Sequence, residues 1–149
     1  MLLLSFMVAG MRYGLDSRDV VEVLPDIRSA RDGSASEVFV YHGVTTKVCD
    51  LTKLCSSQLA QAHLTTRVIV VRSNEWVNTE FIGLLAESVT ETCVVKRFAE
   101  LPATPASAAV CLPSVVGVDE TSRQWYLVSL PALLERLARV PQTGVESDA

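Results

Sequence analysis

The stretch VYHGVTTKVCDL, Val40–Leu51, decides how this chain is read. It places a histidine, a cysteine and an aspartate close together, which is the raw material of a thiol active site. It also places His-Gly between two β-branched runs, which is the pattern of a hairpin turn. With His42-Gly43 as the two turn residues, Tyr41 faces Val44 and Phe39 faces Thr46. Cys49 then lies about 20 Å from His42, at ~3.3 Å per residue. A thiol and its base must approach within roughly 2.6–3.2 Å, so the two cannot meet within the hairpin. Asp50, next along the strand, points to the opposite face from Cys49.

Working outward, strand patterns dominate. Leu2–Val8 and Arg12–Leu15 read as a hairpin around Ala9–Met11. Asp16-Ser17-Arg18-Asp19 and the residues after it read as a short helix, with Asp16 or Ser17 as its cap, stopped by Pro25. Ile27–Ser36 is a polar loop, and Val38–Tyr41 and Val44–Leu51 are the arms of the central hairpin. Thr52–His63 is a polar connection, partly helical. Arg67–Val71 and Glu80–Leu85 contain VIVV and FIGLL, runs that do not alternate, so both faces of those strands are expected to be covered. SNEWVN between them is a loop, and Glu87–Val95 adds a further strand. Leu101–Pro113, with its prolines and alanines, is an irregular crossing. Val115–Val118 and Gln124–Ser129 pair across Asp119–Ser122. SLPALLERLARVP closes the fold as an amphipathic helix with Leu133, Leu134, Leu137 and Val140 on one face. The sum is about nine short strands and small helices, an all-β barrel or sandwich architecture.

Composition narrows the function. The chain has 149 residues, 49% of them apolar, and a net charge of −4. Its pI is about 5.1 and its mean hydropathy +0.31. The scattered lysines and arginines form no basic stripe, which argues against nucleic acid as a partner. MLLLSFMVAG lacks the positive flank of a signal peptide and is far shorter than the ~20 residues that cross a bilayer. It reads as a buried first strand, with no direct membrane insertion, and the protein as cytoplasmic. The four cysteines, Cys49, Cys55, Cys93 and Cys111, are then expected to stay reduced and to act as small core hydrophobes. No CxxC pair is present and the histidines are only His42 and His63, so no metal and no cofactor is expected. His63 with Cys49 or Cys55 leaves a small thiol hydrolase as the weakest alternative. No phosphate loop, nucleophile elbow or paired carboxylates support catalysis.

In their order and spacing, from Leu3 to about Leu137, these segments resemble the CheW family of chemotaxis coupling proteins. FMVAGMRYGLD is similar to that family's opening hairpin, VVEVLP to its Val-x-Glu-Ile segment, and VYHGVTTKVCDL to its Asn-Leu-Arg-Gly turn and following strand. RVIVV with FIGLLAESVTE resembles the central hairpin and its tail. VVGV with WYLVSLPALL resembles the last strands and closing helix. RYGLD, VVEVLP and GLLAESVTET look closest to the CheW-like proteins of surface-sensing or pilus-linked chemosensory clusters.

The resemblance implies a mainly β fold of two five-stranded SH3-like barrel subdomains sharing a hydrophobic seam. It implies a single domain over 1–141; the residues after Pro141, which ends the closing helix, read as a disordered tail over 142–149. It also implies a non-catalytic adaptor between the cytoplasmic tip of a methyl-accepting chemoreceptor and the regulatory domain of a CheA-type histidine kinase. Val20 and Glu22 stand where the family places receptor and kinase contacts, and His42-Gly43 stand at its Arg-Gly turn. For Glu22 the plain alternative is a solvated helix charge, and for Gly43 a turn glycine supplying positive φ. The departures are specific: His42 replaces the turn arginine, Val40 the asparagine, Lys47 the mid-strand proline, and Ala86-Glu87 the Val-Asp of the central tail. A stand-alone β-barrel interaction module with an unrelated partner is the main alternative.

Overall fold

The computed structural model describes residues 1–26, 38–73, 80–89, 92–102 and 111–139. The expected loop over 27–36, the loop SNEWVN beyond its Ser73, residues 103–110 of the expected crossing, Val140 and the tail over 142–149 lie outside the described residues.

β1 (Leu2–Val8) and β2 (Met11–Asp16) form the opening hairpin. Its turn, Ala9-Gly10, takes φ of +49° and +81°. A 3-10 turn, Ser17–Asp19, follows, with the Asp16 carboxylate accepting from the Arg18 backbone N–H at 3.0 Å. The segment expected to continue as helix is instead a strand, β3 (Val20–Pro25). The physical reason is that Val20, Val21 and Val23 lose side-chain freedom in a helix, while the run can pair antiparallel with β6 (Arg67–Arg72). Glu22 is therefore a strand residue, beside a register shift between Val20 and Glu22.

β4 (Val38–Tyr41) and β5 (Val44–Asp50) pair in the register expected from the turn, Tyr41 opposite Val44 and Phe39 opposite Thr46. The Asp50 side chain leaves the strand to cap α1 (Leu51–Cys55), accepting from the backbone N–H groups of Thr52 and Lys53. Its second oxygen accepts from Ala60 N–H. β7 (Phe81–Ala86) pairs with β6 and runs parallel to β5. The remaining elements are β8 (Thr92–Val94), β9 (Ala99–Glu100), β10 (Ser114–Val118), β11 (Gln124–Val128) and α2 (Leu130–Arg139). The two-residue β9 lies just before the expected crossing, where the sequence suggests no element.

The strands form two sheets, ordered β8-β1-β2-β11-β10-β9 and β3-β6-β7-β5-β4. One sheet thus has the expected five strands and the other has six. The arrangement agrees with two SH3-like subdomains of a CheW-like fold, the architecture expected from the sequence.

Of three apolar clusters, two explain why the runs in β6 and β7 do not alternate. Ile69, Val71, Ile82 and Leu84 face a central cluster shared with Leu4, Phe6, Tyr13 and Leu15 of the other sheet and with Leu130, Leu133, Leu134 and Leu137 of α2. Val68, Val70 and Leu85 face the opposite way, into a second cluster with Tyr41, Val48, Phe39 and Phe81. Leu3, Val95 and Trp125 fill the third, inside the six-stranded sheet. Burying each such side chain contributes about 1.5–3 kcal/mol, and the central cluster is the hydrophobic seam. Backbone hydrogen bonds between Met7 and Glu87, at 2.8 and 3.1 Å, tie the sheets directly.

The cysteines correct one expectation. Cys55 and Cys111 form a disulfide; only Cys49 and Cys93 are free, each half-buried. Spacing in the sequence gave no sign of this pairing, because it is made by the packing of one sheet on the other.

Candidate protein-interaction site

The turn His42-Gly43 holds φ of +49° and +79°, the paired left-handed conformation that matches the twist of a two-residue hairpin. It projects the His42 side chain into solvent, where it is 71% exposed. Tyr41, one residue earlier, points inward and is 6% exposed. This period-two alternation also sends Phe39 inward and leaves Val38 and Val40 outward, at 51% and 71% exposure.

Glu22 meets this hairpin from the far edge of the same sheet. The Tyr41 hydroxyl donates to Glu22 Oε1 at 2.6 Å, and His42 Nε2 lies 3.9 Å from the same oxygen. The Tyr41 ring packs edge-on against His42 at 4.3 Å and against Phe81 at 5.1 Å. Arg72 lies over the other part of Phe81, 5.5 Å from its centroid. The hydrogen bond to Glu22, with burial and the carboxylate's charge, raises the Tyr41 phenol above its ordinary range. The hydroxyl therefore stays a donor.

Of the residues singled out in the sequence, Glu22, His42 and Gly43 come together here. Val20 is half-buried and packs partly against the central cluster, while its neighbour Val21 is exposed, at 41%. A shallow groove runs beside this site, lined by Arg18, Asp19, Val21, Arg72, Leu130 and Leu134. Burial raises the Asp19 carboxyl, aided by the Asp16 charge, whereas Arg18 holds Asp16 below its usual value. Tyr41, Val21 and Arg72 escaped sequence reading. For Tyr41 the alternation Phe39/Tyr41 was an available signal; for the others, only the curl of the sheet brings them in.

The thiol arrangement is not formed. Cys55 is oxidised onto Cys111. Burial, then the charge of Asp50, pushes the Cys49 thiol up to about 11, and Cys49 packs against the central cluster. His63 Nε2 sits 3.9 Å from Glu87 Oε1. Among the described residues no group of three or more metal-ligating side chains gathers, and no helix is long and apolar enough to cross a membrane.

Comparison with known proteins bears on the family and the fold. The family model of the CheW-like domain matches residues 2–138. The crystal structure of the scaffolding protein TtCheW from Thermoanaerobacter tengcongensis is similar with a TM-score of 0.63 and 19% identity. That match covers 87% of this chain and 84% of that one. A search of curated proteins finds no match.

Proposed function

The chain belongs to the CheW-like domain family, a family of non-catalytic scaffolds, and from that premise we propose that it couples a chemoreceptor tip to a CheA-type histidine kinase in the cytoplasm. The observation that carries this reading is the grouping of Glu22, Tyr41 and His42 where the two edges of the five-stranded sheet meet. Exposed Val21, Val38 and Val40 flank it. A polar cluster beside exposed apolar side chains suits recognition of another protein better than chemistry. Glu22 and the His42-Gly43 turn are the contacts assigned to partners. Val20 supports the site from below by holding β3 on the seam.

In this chain His42 replaces a permanent, planar guanidinium with an imidazole. The contact it makes is accordingly weaker, without the bidentate fork of the guanidinium. This fits a divergent coupling protein matched to a dedicated receptor.

The test is direct mixing of the full chain with the regulatory domain of a CheA-type kinase and, separately, with a receptor-tip fragment. Co-elution from a sizing column is expected in both cases. If neither fragment binds at tens of micromolar, the chain is an interaction module for an unrelated partner and the coupling role is withdrawn.

A further inference from the structure

The Cys55–Cys111 bond joins the two subdomains. Cys55 ends α1, which continues from β5 of the five-stranded sheet, while Cys111 leads into β10 of the six-stranded sheet. The residues are 56 apart in sequence, with Cα atoms 5.6 Å from one another. Both residues are half-buried, packed against the central cluster without being sealed inside it.

A third element converges on the same point. Arg136, half-buried on α2, donates from Nη1 to the Cys111 carbonyl oxygen at 2.6 Å, and the same nitrogen lies 3.5 Å from Cys111 Sγ. A guanidinium beside a sulfur favours its thiolate form. In thiol–disulfide exchange, the sulfur whose thiolate is better stabilised leaves faster. The two sulfurs of this bond are thus unequal. Cys111 has a resident cation, and no such contact is seen for Cys55 among the described residues.

We propose that Cys55–Cys111 is a reversible redox bond between the subdomains, opened by dithiols that attack Cys55 and release Cys111 as the leaving thiolate. In the first step a reductant thiolate bonds to Cys55 Sγ, the Cys55–Cys111 bond breaks, and its electron pair departs on Cys111 beside Arg136. In the second step the reductant's other thiolate attacks its own bonded sulfur, freeing Cys55 and leaving the reductant as a disulfide. Two electrons pass to the protein, and the protons of the dithiol end on the cysteines or in solvent. Arg136 is a positioning residue in this exchange. Closure by a disulfide oxidant is the reverse sequence. A cytoplasmic protein with such a bond would close it under oxidising conditions and open it otherwise, changing how firmly α1 is tied to the α2–β10 side of the seam. The proposal is independent of the coupling role.

The test uses the purified full chain in mixtures of reduced and oxidised dithiothreitol, followed by alkylation with a mass tag and peptide mapping. Cys55 and Cys111 are expected to become labelled together, as one two-electron transition. Arg136→Gln should slow opening by roughly threefold to tenfold, and Arg136→Lys should restore most of the rate. The native fold of each variant is checked by circular dichroism, and raising pH in the wild type gives a second readout, since exchange must follow the reductant's thiolate. A bond that survives millimolar reduced dithiothreitol in the native protein is a fixed staple and overturns the proposal. So does a pair that remains two free thiols in oxidised dithiothreitol, or an Arg136→Gln rate equal to wild type.

Discussion

The Tyr41 hydroxyl donates to Glu22 Oε1 at 2.6 Å although β4 and β3, which carry them, are the two outermost strands of one five-stranded sheet. Neighbouring strands lie about 4.8 Å apart, so in a flat sheet these residues would be far out of reach. The contact exists because the sheet curls until its edges meet. A barrel interior of Val48, Val68, Val70 and Leu85 is thereby enclosed, and the same contact builds the candidate site. Tyr41→Phe keeps the ring packing on Phe81 but removes the bond, leaving Glu22 without its donor. A lower urea midpoint is expected, and a double-mutant cycle with Glu22→Gln should show positive coupling. Equal midpoints for Tyr41→Phe and wild type would remove the bond from barrel closure.

Gly43→Ala tests the turn. A Cβ there meets nothing within 4 Å, yet φ is +79°. The cost is backbone strain alone, about 1 kcal/mol of unfolding free energy. Thermal or urea unfolding measures it, and binding to partner fragments should weaken with it if the turn is the contact.

His42 is exposed and 3.9 Å from Glu22. Receptor-tip affinity is expected to fall when the imidazole is removed and to rise when a guanidinium replaces it. His42→Ala should cost about twofold to fivefold in affinity. His42→Arg should bind more tightly than wild type. An affinity unmoved by His42→Ala takes His42 out of the contact.

Cys49 has a thiol held protonated by burial, titrating at about 11 against an ordinary 9.0. Iodoacetamide should label it slowly in the native protein at neutral pH, the rate rising about tenfold per pH unit below that value. Because the unfolded chain loses this proton first, Cys49 contributes stability that is complete below pH 9 and lost as pH rises towards 11. Cys49→Ala should flatten that part of the stability profile. Fast labelling at pH 7 would show an activated thiolate instead.

The closed Cys55–Cys111 bond should stabilise the oxidised protein relative to a Cys55→Ser, Cys111→Ser variant. For two residues 56 apart, chain entropy puts this at roughly 4 kcal/mol. Urea unfolding of both proteins without reductant measures it. No difference would mean that the seam alone sets the relation between the sheets.

Local physics made much of this molecule legible in advance. The register around His42-Gly43 follows from turn chemistry, the double burial of β6 and β7 from unbroken apolar runs, and α2 from its leucine spacing after Pro131. β3 departs from the helix its sequence suggests, because the acidic cap at Asp16 is real but serves only a single 3-10 turn. The valines after it are decided by pairing with β6. Val20, Glu22, His42 and Gly43 could be picked out by resemblance, yet nothing near them in sequence reveals which face solvent.

The sequence by itself determined the opening and central hairpins, the doubly covered runs of β6 and β7 and the closing helix, because each rests on patterns among residues a few positions apart. Tertiary structure alone decided that Glu22 meets Tyr41, that Val20 is half-buried and Val21 exposed, and that Cys55 finds Cys111. Those relations depend on how far each sheet curls and how the two press together along the seam. Curl and docking are set by the summed packing of many side chains, a quantity that no short stretch of sequence contains.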